Sequence, residues 1–391
     1  MSKGSKRVLI IATVVKTHIM QFHIPMLKLF KDMGWETAVA ARNDYSNPED
    51  CKIPYCDQFF DIPFERIPFK PENIKCYKIL KGVIDQGNYR IIHCHTPVGG
   101  VLGRLAARKA RKKGTRVLYT AHGFHFYRDA PLKNWLIYYP AEKICSFFAD
   151  DIITINQEDY RFAQRKFSSA KIHYLPGVGI DTSAFSPGIL TDEERIAMQA
   201  ALGVKSGQYM ILSVGELISR KNYKTAIDVI AKLNTEQIRY YICGQGVLRS
   251  KIEEYAKTQG VSDSVVFLGY RRDIPVICAC ADVFLHTAYQ EGLPVAVMEA
   301  MACGTPIVAS RIRGNVDLVE DGVNGFLCDP QDVNGFADKI RKVLDEPDLA
   351  EKLQSNGLQK IKGFDERIVA KQLQEIYYEM NDGMNTAEEF V

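Results

Sequence analysis

Tyr289-Gln290-Glu291-Gly292-Leu293-Pro294-Val295-Ala296-Val297-Met298-Glu299-Ala300-Met301-Ala302-Cys303-Gly304-Thr305-Pro306 carries the deciding pattern of this 391-residue chain. It follows the short apolar run Val283–His286, which reads as a buried strand. Pro294 suits the first turn of a helix, where a missing N–H leaves no bond unmade. Gly304 falls where a left-handed C-terminal cap is wanted, and Pro306 stops any continuation. A helix of roughly ten residues is therefore expected, with Glu291 in the loop before it and Glu299 inside it. The first N–H groups, around Val295 and Ala296, have no intrahelical partners and with the helix dipole form an anion site suited to a diphosphate. Glu291 stands ahead of the helix, where a carboxylate can accept hydrogen bonds from sugar hydroxyls. Glu299 lies about two turns further on, roughly 12 Å along the axis, within reach of a ribose only if a nucleotide lies back along the helix. Its neighbours Val297, Met298, Ala300 and Met301 are apolar, which argues against an exposed ion pair at that position.

Working outward, short apolar runs recur at Val8–Ala12, Thr37–Ala40, Arg90–His93, Val117–Thr120, Ile152–Ile155 and Ile172–Leu175. They resume at Met210–Val214, Arg239–Cys243, Val265–Leu268, Val283–His286, Pro306–Ala309 and Gly325–Cys328. Helix-like stretches such as Gln21–Met33, Gly99–Lys113, Tyr223–Leu233 and Val247–Thr258 lie between them. Strands alternating with helices predict an α/β protein with parallel sheets covered on both faces, and continuous apolar runs agree with strands buried on both sides. The strands divide evenly around 177–194, read as a linker. This gives an N-terminal Rossmann-like domain over 1–176, a C-terminal one over 195–364, and a helix and polar tail over 365–391. Two doubly wound domains of this kind are expected to place a cleft at their strand C-terminal ends.

Hydrophobic residues are 46% of the chain and charged residues 25%, the balance of a globular protein, and no apolar run reaches the length of a membrane span. The basic start is followed by an apolar stretch too short for a signal-peptide core. Ten cysteines show no metal-binding spacing, since Cys51/Cys56 and Cys278/Cys280 lack the paired pattern of zinc ligands. Reduced thiols and a cytoplasmic location are expected. Net charge is only +3, but Arg104–Arg116 encloses Arg108, Lys109, Arg111, Lys112 and Lys113 without a carboxylate. That run fits either a solvated helix end or a patch resting on anionic lipid. Nucleic acid is disfavoured because no aromatics interleave the cations.

The context Glu-Gly-Leu-Pro…Glu-Ala-Met-Ala-Cys-Gly-Thr-Pro-Ile-Val-Ala, with glutamates 291 and 299, resembles family-4 retaining glycosyltransferases of the GT-B fold, and closest to it are exopolysaccharide and capsule enzymes. The resemblance extends over nearly the whole chain. It implies that Glu291 contacts the transferred sugar, Glu299 the ribose, and Tyr270-Arg271-Arg272 the base. Gly292, Leu293, Pro294, Val295 and Ala296 complete the donor segment, and Gly215, Gly244 and Gly246 fall where the family keeps donor-lining loops. His122, in Thr120-Ala121-His122-Gly123, resembles a strand-end histidine held near the reacting carbon, although a plain hydrogen-bonding role at the strand end fits as well. His95, in His93-Cys94-His95-Thr96-Pro97, is a further acceptor-side candidate; a His-x-His pair there need not mean metal. The run from Phe124 to Tyr139, including Tyr127, either shapes the acceptor site or belongs to the core.

Two departures stand out. Many members carry an arginine after the glycine of the Gly215 turn and a lysine about five positions on; here Glu216 replaces the arginine, Lys221 matches the lysine, and Arg220 is a substitute cation. The glycine-rich loop after the first strand is also absent, leaving Lys16, Thr17 and His18 on the acceptor side. No carboxylate is placed to act as a nucleophile beneath the sugar. The resemblance therefore implies front-face transfer, with Lys221, Arg220 and the helix N-terminus stabilising charge on the leaving diphosphate of a UDP-sugar. No Asp-x-Asp pair sits at a strand end, so neither a required divalent metal nor another cofactor is expected. The implied acceptor is a saccharide, on a polyprenyl-diphosphate carrier if the capsule-type likeness holds. A sugar-nucleotide epimerase of the same fold is the enzymatic alternative, and a non-catalytic sugar-nucleotide-binding partner, motivated by Glu216, is the other. A dinucleotide-dependent dehydrogenase is disfavoured, because no glycine triplet follows the first strand.

Overall fold

The computed structural model describes residues 6–65 and 70–388, with side chains to residue 381. It contains two compact units, Met1–Val178 with Arg367–Val391, and Gly179–Glu366. The first holds seven parallel strands, β1 (Arg7–Val14), β2 (Glu36–Arg42), β3 (Gln58–Asp61), β4 (Ile91–His95), β5 (Arg116–Ala121), β6 (Asp151–Thr154) and β7 (Lys171–Tyr174). The second holds six, β8 (Tyr209–Val214), β9 (Ile238–Cys243), β10 (Val265–Gly269), β11 (Val283–His286), β12 (Ile307–Ser310) and β13 (Phe326–Cys328). Their orders are β3-β2-β1-β4-β5-β6-β7 and β10-β9-β8-β11-β12-β13, so each sheet reverses direction once, between β1 and β4 and between β8 and β11. In open α/β sheets the crevice outside the strand C-termini at such a reversal is where ligands bind.

Strand β1 shows why the sheet is buried on both faces. Leu9 and Ile11 enter a cluster with Phe64, Cys76, Leu80 and Ile84, while Val8, Ile10 and Ala12 enter another with Leu27, Phe30 and Trp35. The second cluster is closed by Val369, Ile376, Tyr377 and Met380 of the C-terminal helix, Glu366–Glu388, which thus packs on the first unit. In the second unit Ile227 and Ile230 of the helix Tyr223–Leu233 and Phe336 and Ile340 of the helix Val333–Asp345 pack on one sheet face.

Twelve of the strands coincide with the apolar runs. The other, β3 (Gln-Phe-Phe-Asp), is an edge strand whose short apolar pair lies between polar ends. The C-terminal helix extends to Glu388, into the stretch expected as a polar tail, and the segment 177–194, read as linker, lies from Gly179 onward inside the second unit. Within the basic run, Arg104 is corrected from a surface cation to a wholly buried one. Its guanidinium donates to Glu142 at 2.7 Å and lies 3.8 Å from the Tyr119 ring centroid. Arg111 and Arg116 pair with Asp150 and Asp151, carboxylates distant in sequence. No helix among the described residues is long and apolar enough to cross a membrane.

Tyr377 fills the gap between the C-terminal helix and the sheet, with its hydroxyl 2.7 Å from His93 Nδ1. Tyr377→Ala should destabilise the first unit by about 3–5 kcal/mol, the scale of a deleted buried aromatic. Denaturant unfolding followed by intrinsic fluorescence measures this; a loss below about 1 kcal/mol would mean the helix is not part of the core.

Candidate functional site

In the second unit the loops after β8, β9 and β11 build a single charged site. The Gly215–Leu217 turn and the Gly244–Gly246 turn are laced backbone to backbone, with Leu217 N donating to Gln245 O at 2.9 Å. A Cβ on Gly244 would overlap the Gly215 carbonyl, so only glycine allows this approach. The following Arg220-Lys221 turn is fixed by Asn222, itself left-handed, whose amide donates to Thr287 O and Pro330 O at 2.9 Å each. Tyr289 N closes on Arg220 O at 2.8 Å.

These constraints deliver two cations to Glu291. Its Oε1 lies 2.6 Å from Lys221 Nζ, 2.9 Å from Arg220 and 3.6 Å from Nε2 of His286, the last residue of β11. Burial alone would raise the Glu291 pKa, but Lys221, His286 and Arg220 outweigh it and hold the carboxyl far below the usual range. Burial is also the main force on His286, which it pushes toward the neutral ring. On its other side His286 Nδ1 meets the Asn315 amide at 3.2 Å, and Arg313 Nε donates to Glu291 O at 3.2 Å.

Behind this cluster the helix Val295–Ala302 starts with Pro294 as its N-cap rather than in the first turn, and no side chain caps it. Val295 and Ala296 begin the helix, and it is eight residues long. It ends as expected: Gly304 is left-handed at φ 77°, and Thr305 N returns to Ala300 O at 2.9 Å. Glu299, half-buried on this helix, has its carboxyl raised to about 7 by burial, with Lys221 pulling the other way.

The sequence-selected residues thus divide. Glu291, Lys221 and Arg220 meet at one carboxylate oxygen, and Gly292, Leu293 and Pro294 connect it to the helix start. Gly215, Gly244 and Gly246 form the adjoining turns. Tyr270 is exposed, and Arg271 is bound to Asp273 at 2.8 Å rather than joined to the cluster. Glu216 is exposed. His286, Asn315, Arg313 and Asn222 were not selected; His286 ends an apolar strand and was the one with a readable signal.

In the first unit His95 and His122 sit at the ends of β4 and β5, with His95 Nδ1 and His122 Nε2 3.2 Å apart, and His18 packs edge-on to His122 at 5.0 Å between centroids. Burial pulls the His122 pKa down to about 4. Phe124 is 3% exposed, stacked on Phe126 at 4.8 Å and set against Phe167, and it also lines the cavity beside His122. Tyr127 is half-buried, and its carbonyl accepts from Trp135 Nε1. A cavity of about 140 Å³ lies beside His122, lined also by Thr96, Tyr138 and Glu142.

Two facing facts, a doubly wound pair of sheets and a charged loop at the β8/β11 reversal, are matched by known proteins. The model "Glycosyl transferases group 1" matches residues 194–360, and "Glycosyl transferase 4-like" matches 7–156. EpsD of Bacillus subtilis (strain 168), a provisionally designated glycosyltransferase, is 39% identical over 99% of this chain and 100% of its own. An Escherichia coli UDP-Gal:α-D-GlcNAc-diphosphoundecaprenol α-1,3-galactosyltransferase is 30% identical over 70% of each chain. The crystal structure of Anabaena HepE with UDP and glucose superposes with a TM-score of 0.78 over 96% of this chain and 100% of that one, at 21% identity. The chain belongs to the family-4-type glycosyltransferases and has the GT-B fold. The epimerase alternative is not favoured by these matches.

Because the native Glu299 carboxyl keeps its proton up to about 7 while an unfolded one loses it near 4.5, native stability should fall as pH rises across that window. Glu299→Gln removes the titration. Its melting temperature relative to the parent should therefore rise between pH 4.5 and pH 8; a difference independent of pH would place Glu299 in an ordinary solvated setting.

Proposed function

We propose that the protein transfers a hexosyl or N-acetylhexosaminyl group from a UDP-sugar, with retention, to a saccharide on a polyprenyl-diphosphate carrier during surface-polysaccharide synthesis. The observation that carries this reading is the convergence of Lys221, Arg220 and His286 on Glu291, in front of the uncapped helix of Glu299. Lys221 and Arg220 supply the positive charge that a departing diphosphate requires, and the helix N-terminus adds its own partial charge. Glu291, ionised at any working pH, accepts from sugar hydroxyls, and Glu299 takes the ribose. His122, neutral at the first unit's strand end, is assigned to the acceptor side. The leaving phosphate receives the acceptor's proton in the front-face route, so the protein's work is electrostatic and positional. No divalent metal is assigned to the reaction. The donor is taken from the UDP in the names of the E. coli relative and of the HepE complex, and the lipid carrier from the former.

A cytoplasmic enzyme acting on a lipid-linked acceptor needs a membrane-facing surface. The helix Leu132–Ser146 offers one: Leu132, Leu136, Pro140 and Ile144 recur every fourth residue on an exposed face, continued by Phe147. Exposed Arg108 stacks on Phe148 next to it, with Lys109 on the same short helical segment and Lys112 just past its end. This apolar stripe flanked by cations replaces the basic run alone as the proposed lipid contact.

A melting-temperature panel of UDP, GDP, ADP and CMP should show a selective rise with UDP, since a ligand at a hundred times its dissociation constant adds about 2.7 kcal/mol. Loss of that rise in Glu299→Ala is expected, and Lys221→Ala should lower transfer about 10²–10³-fold. Normal turnover in the lysine variant would remove it from the mechanism, and a product of inverted anomeric configuration by NMR would refute retention. Leu136→Glu with Ile144→Glu should abolish cosedimentation with anionic vesicles while leaving the melting temperature unchanged; unaltered cosedimentation would discard the stripe.

A further inference from the structure

Five of the eight histidines of this chain lie together at the β1/β4 reversal of the first sheet, and the reaction proposed above uses only one of them. His18 and His23 come from the turn of π-helix and helix that follows β1, His95 from the end of β4, and His122 from just beyond β5. One ring nitrogen from each of these four can be chosen so that all lie within 4.8 Å of one another. Their rings form a closed group, with centroids 4.8 Å apart for His18–His23, 3.9 Å for His23–His95, 5.4 Å for His95–His122 and 5.0 Å for His18–His122. The fifth, His93, stands behind and is fully engaged, by Tyr377 at Nδ1 and Thr120 at Nε2, each at 2.7 Å.

His23 and His95 are 3% and 2% exposed, and Nε2 of each has no hydrogen-bond partner. A buried polar atom left in that state is costly, and at His23 a bound ion would relieve it. The backbone beside His95 is constrained as well. Thr96 adopts φ 63°, ψ 156°, a region nearly reserved for glycine, and this sets the exit of the chain from β4. Burial holds the rings of His23, His95 and His122 neutral, with lone pairs available.

We propose that His18, His23, His95 and His122 form a binding site for a divalent transition metal of the zinc class. Imidazole is the ligand that suits such ions, whereas Mg²⁺ and Ca²⁺ require oxygen donors, which this set does not offer. Two ligands of one tetrahedral Zn²⁺ are about 3.3 Å apart, given metal–nitrogen bonds of 2.0–2.1 Å. The His95–His122 pair already stands at 3.2 Å, and the rest of the set closes by side-chain rotation about the ion. The proton shared by that pair moves to the far nitrogen of its ring on binding. His18 and His122 are half-buried and form the entry side, while His23 and His95 form the floor. Occupancy ties the turn after β1 to the ends of β4 and β5. It also takes up the His122 lone pair.

Metal binding is tested on the full chain with Zn²⁺ alone, by equilibrium dialysis against a competing chelator, and with Co²⁺ as a spectroscopic probe. One Zn²⁺ per chain is expected, together with the visible spectrum of tetrahedral Co²⁺ and without the sulfur-to-cobalt band that the ten cysteines would produce. His18→Ala, on the entry side, and His23→Gln should each weaken binding by more than about tenfold, the scale at which even residues supporting metal ligands act. His173→Ala, outside the group and paired with Asp151, should leave binding unchanged. Circular dichroism reports folding of each variant, and if His23→Gln unfolds, His18→Ala decides. Absence of bound Zn²⁺, a thiolate-type Co²⁺ spectrum, or equal affinity in His18→Ala and the parent each overturns the proposal. None of these measurements uses a donor or an acceptor, so the outcome is independent of the transferase reading.

Discussion

A buried carboxylate has to be paired, and in the second unit the pairing of Glu291 organises the loops around it. Removing a charge from water costs several kcal/mol, recovered only with close opposite charge and good geometry. Here Lys221 and Arg220 supply that charge from the turn after β8, and His286 adds a polar neighbour from the end of β11. The cations reach the glutamate because β8 and β11 are adjacent in the sheet though distant in sequence. Their turn is held in place by Asn222, a left-handed residue that bonds the loops after β11 and β13 at once. Remove the strand reversal and no local sequence feature would bring these groups together.

The first unit meets the same physics with different chemistry. Its reversal point carries imidazoles, which escape the cost of burial by staying neutral, as the depressed His93, His95 and His122 pKa values record. A few residues away Arg104 takes the other course. It stays charged inside the protein by pairing with Glu142 and stacking on Tyr119, whose hydroxyl also donates to Glu142. One strand end therefore borders both a neutral, adaptable cluster and a fixed ionic one. That contrast leaves the histidines as the groups able to accept a proton or an ion.

Much of this was legible in the sequence wherever a local rule decided the outcome. Buried parallel strands appear as continuous apolar runs, and Gly304 and Pro306 end their helix for reasons of backbone geometry alone. Glu291, Glu299, Lys221 and Arg220 were found through an extended motif. Other features depend on contacts made only in three dimensions. Arg104 looked like one more cation in a basic run because Glu142 is distant in sequence. Phe124 reads equally as site or core, and only folding shows it packed on Phe126 and Phe167 while lining the cavity beside His122. His23 carried no signal at all, since a histidine next to Ile24 and Pro25 is unremarkable until the turn folds over β4. Pairings between loops, in short, were the unreadable part.

Glu216 shows how a departure from a family pattern is absorbed by geometry. Where relatives carry an arginine, this chain exposes a carboxylate, which by itself would repel a diphosphate. The Glu216 C=O still serves the turn, accepting from Ile218 N at 2.9 Å. The substitute cation, Arg220, stands four residues along the chain, next to Lys221. The two members of that pair differ in kind. Lys221 is largely enclosed, with 11% of its side chain exposed, and is tied to Glu291; Arg220 keeps 43% exposed and reaches the same oxygen from outside. An enclosed lysine holds a point charge in place, while a half-free guanidinium can leave Glu291 and grip two oxygens of an arriving anion at little cost in buried charge. On the proposed function, Lys221 is then the fixed element of the donor site and Arg220 the movable one, and the missing arginine is replaced by a neighbour rather than lost.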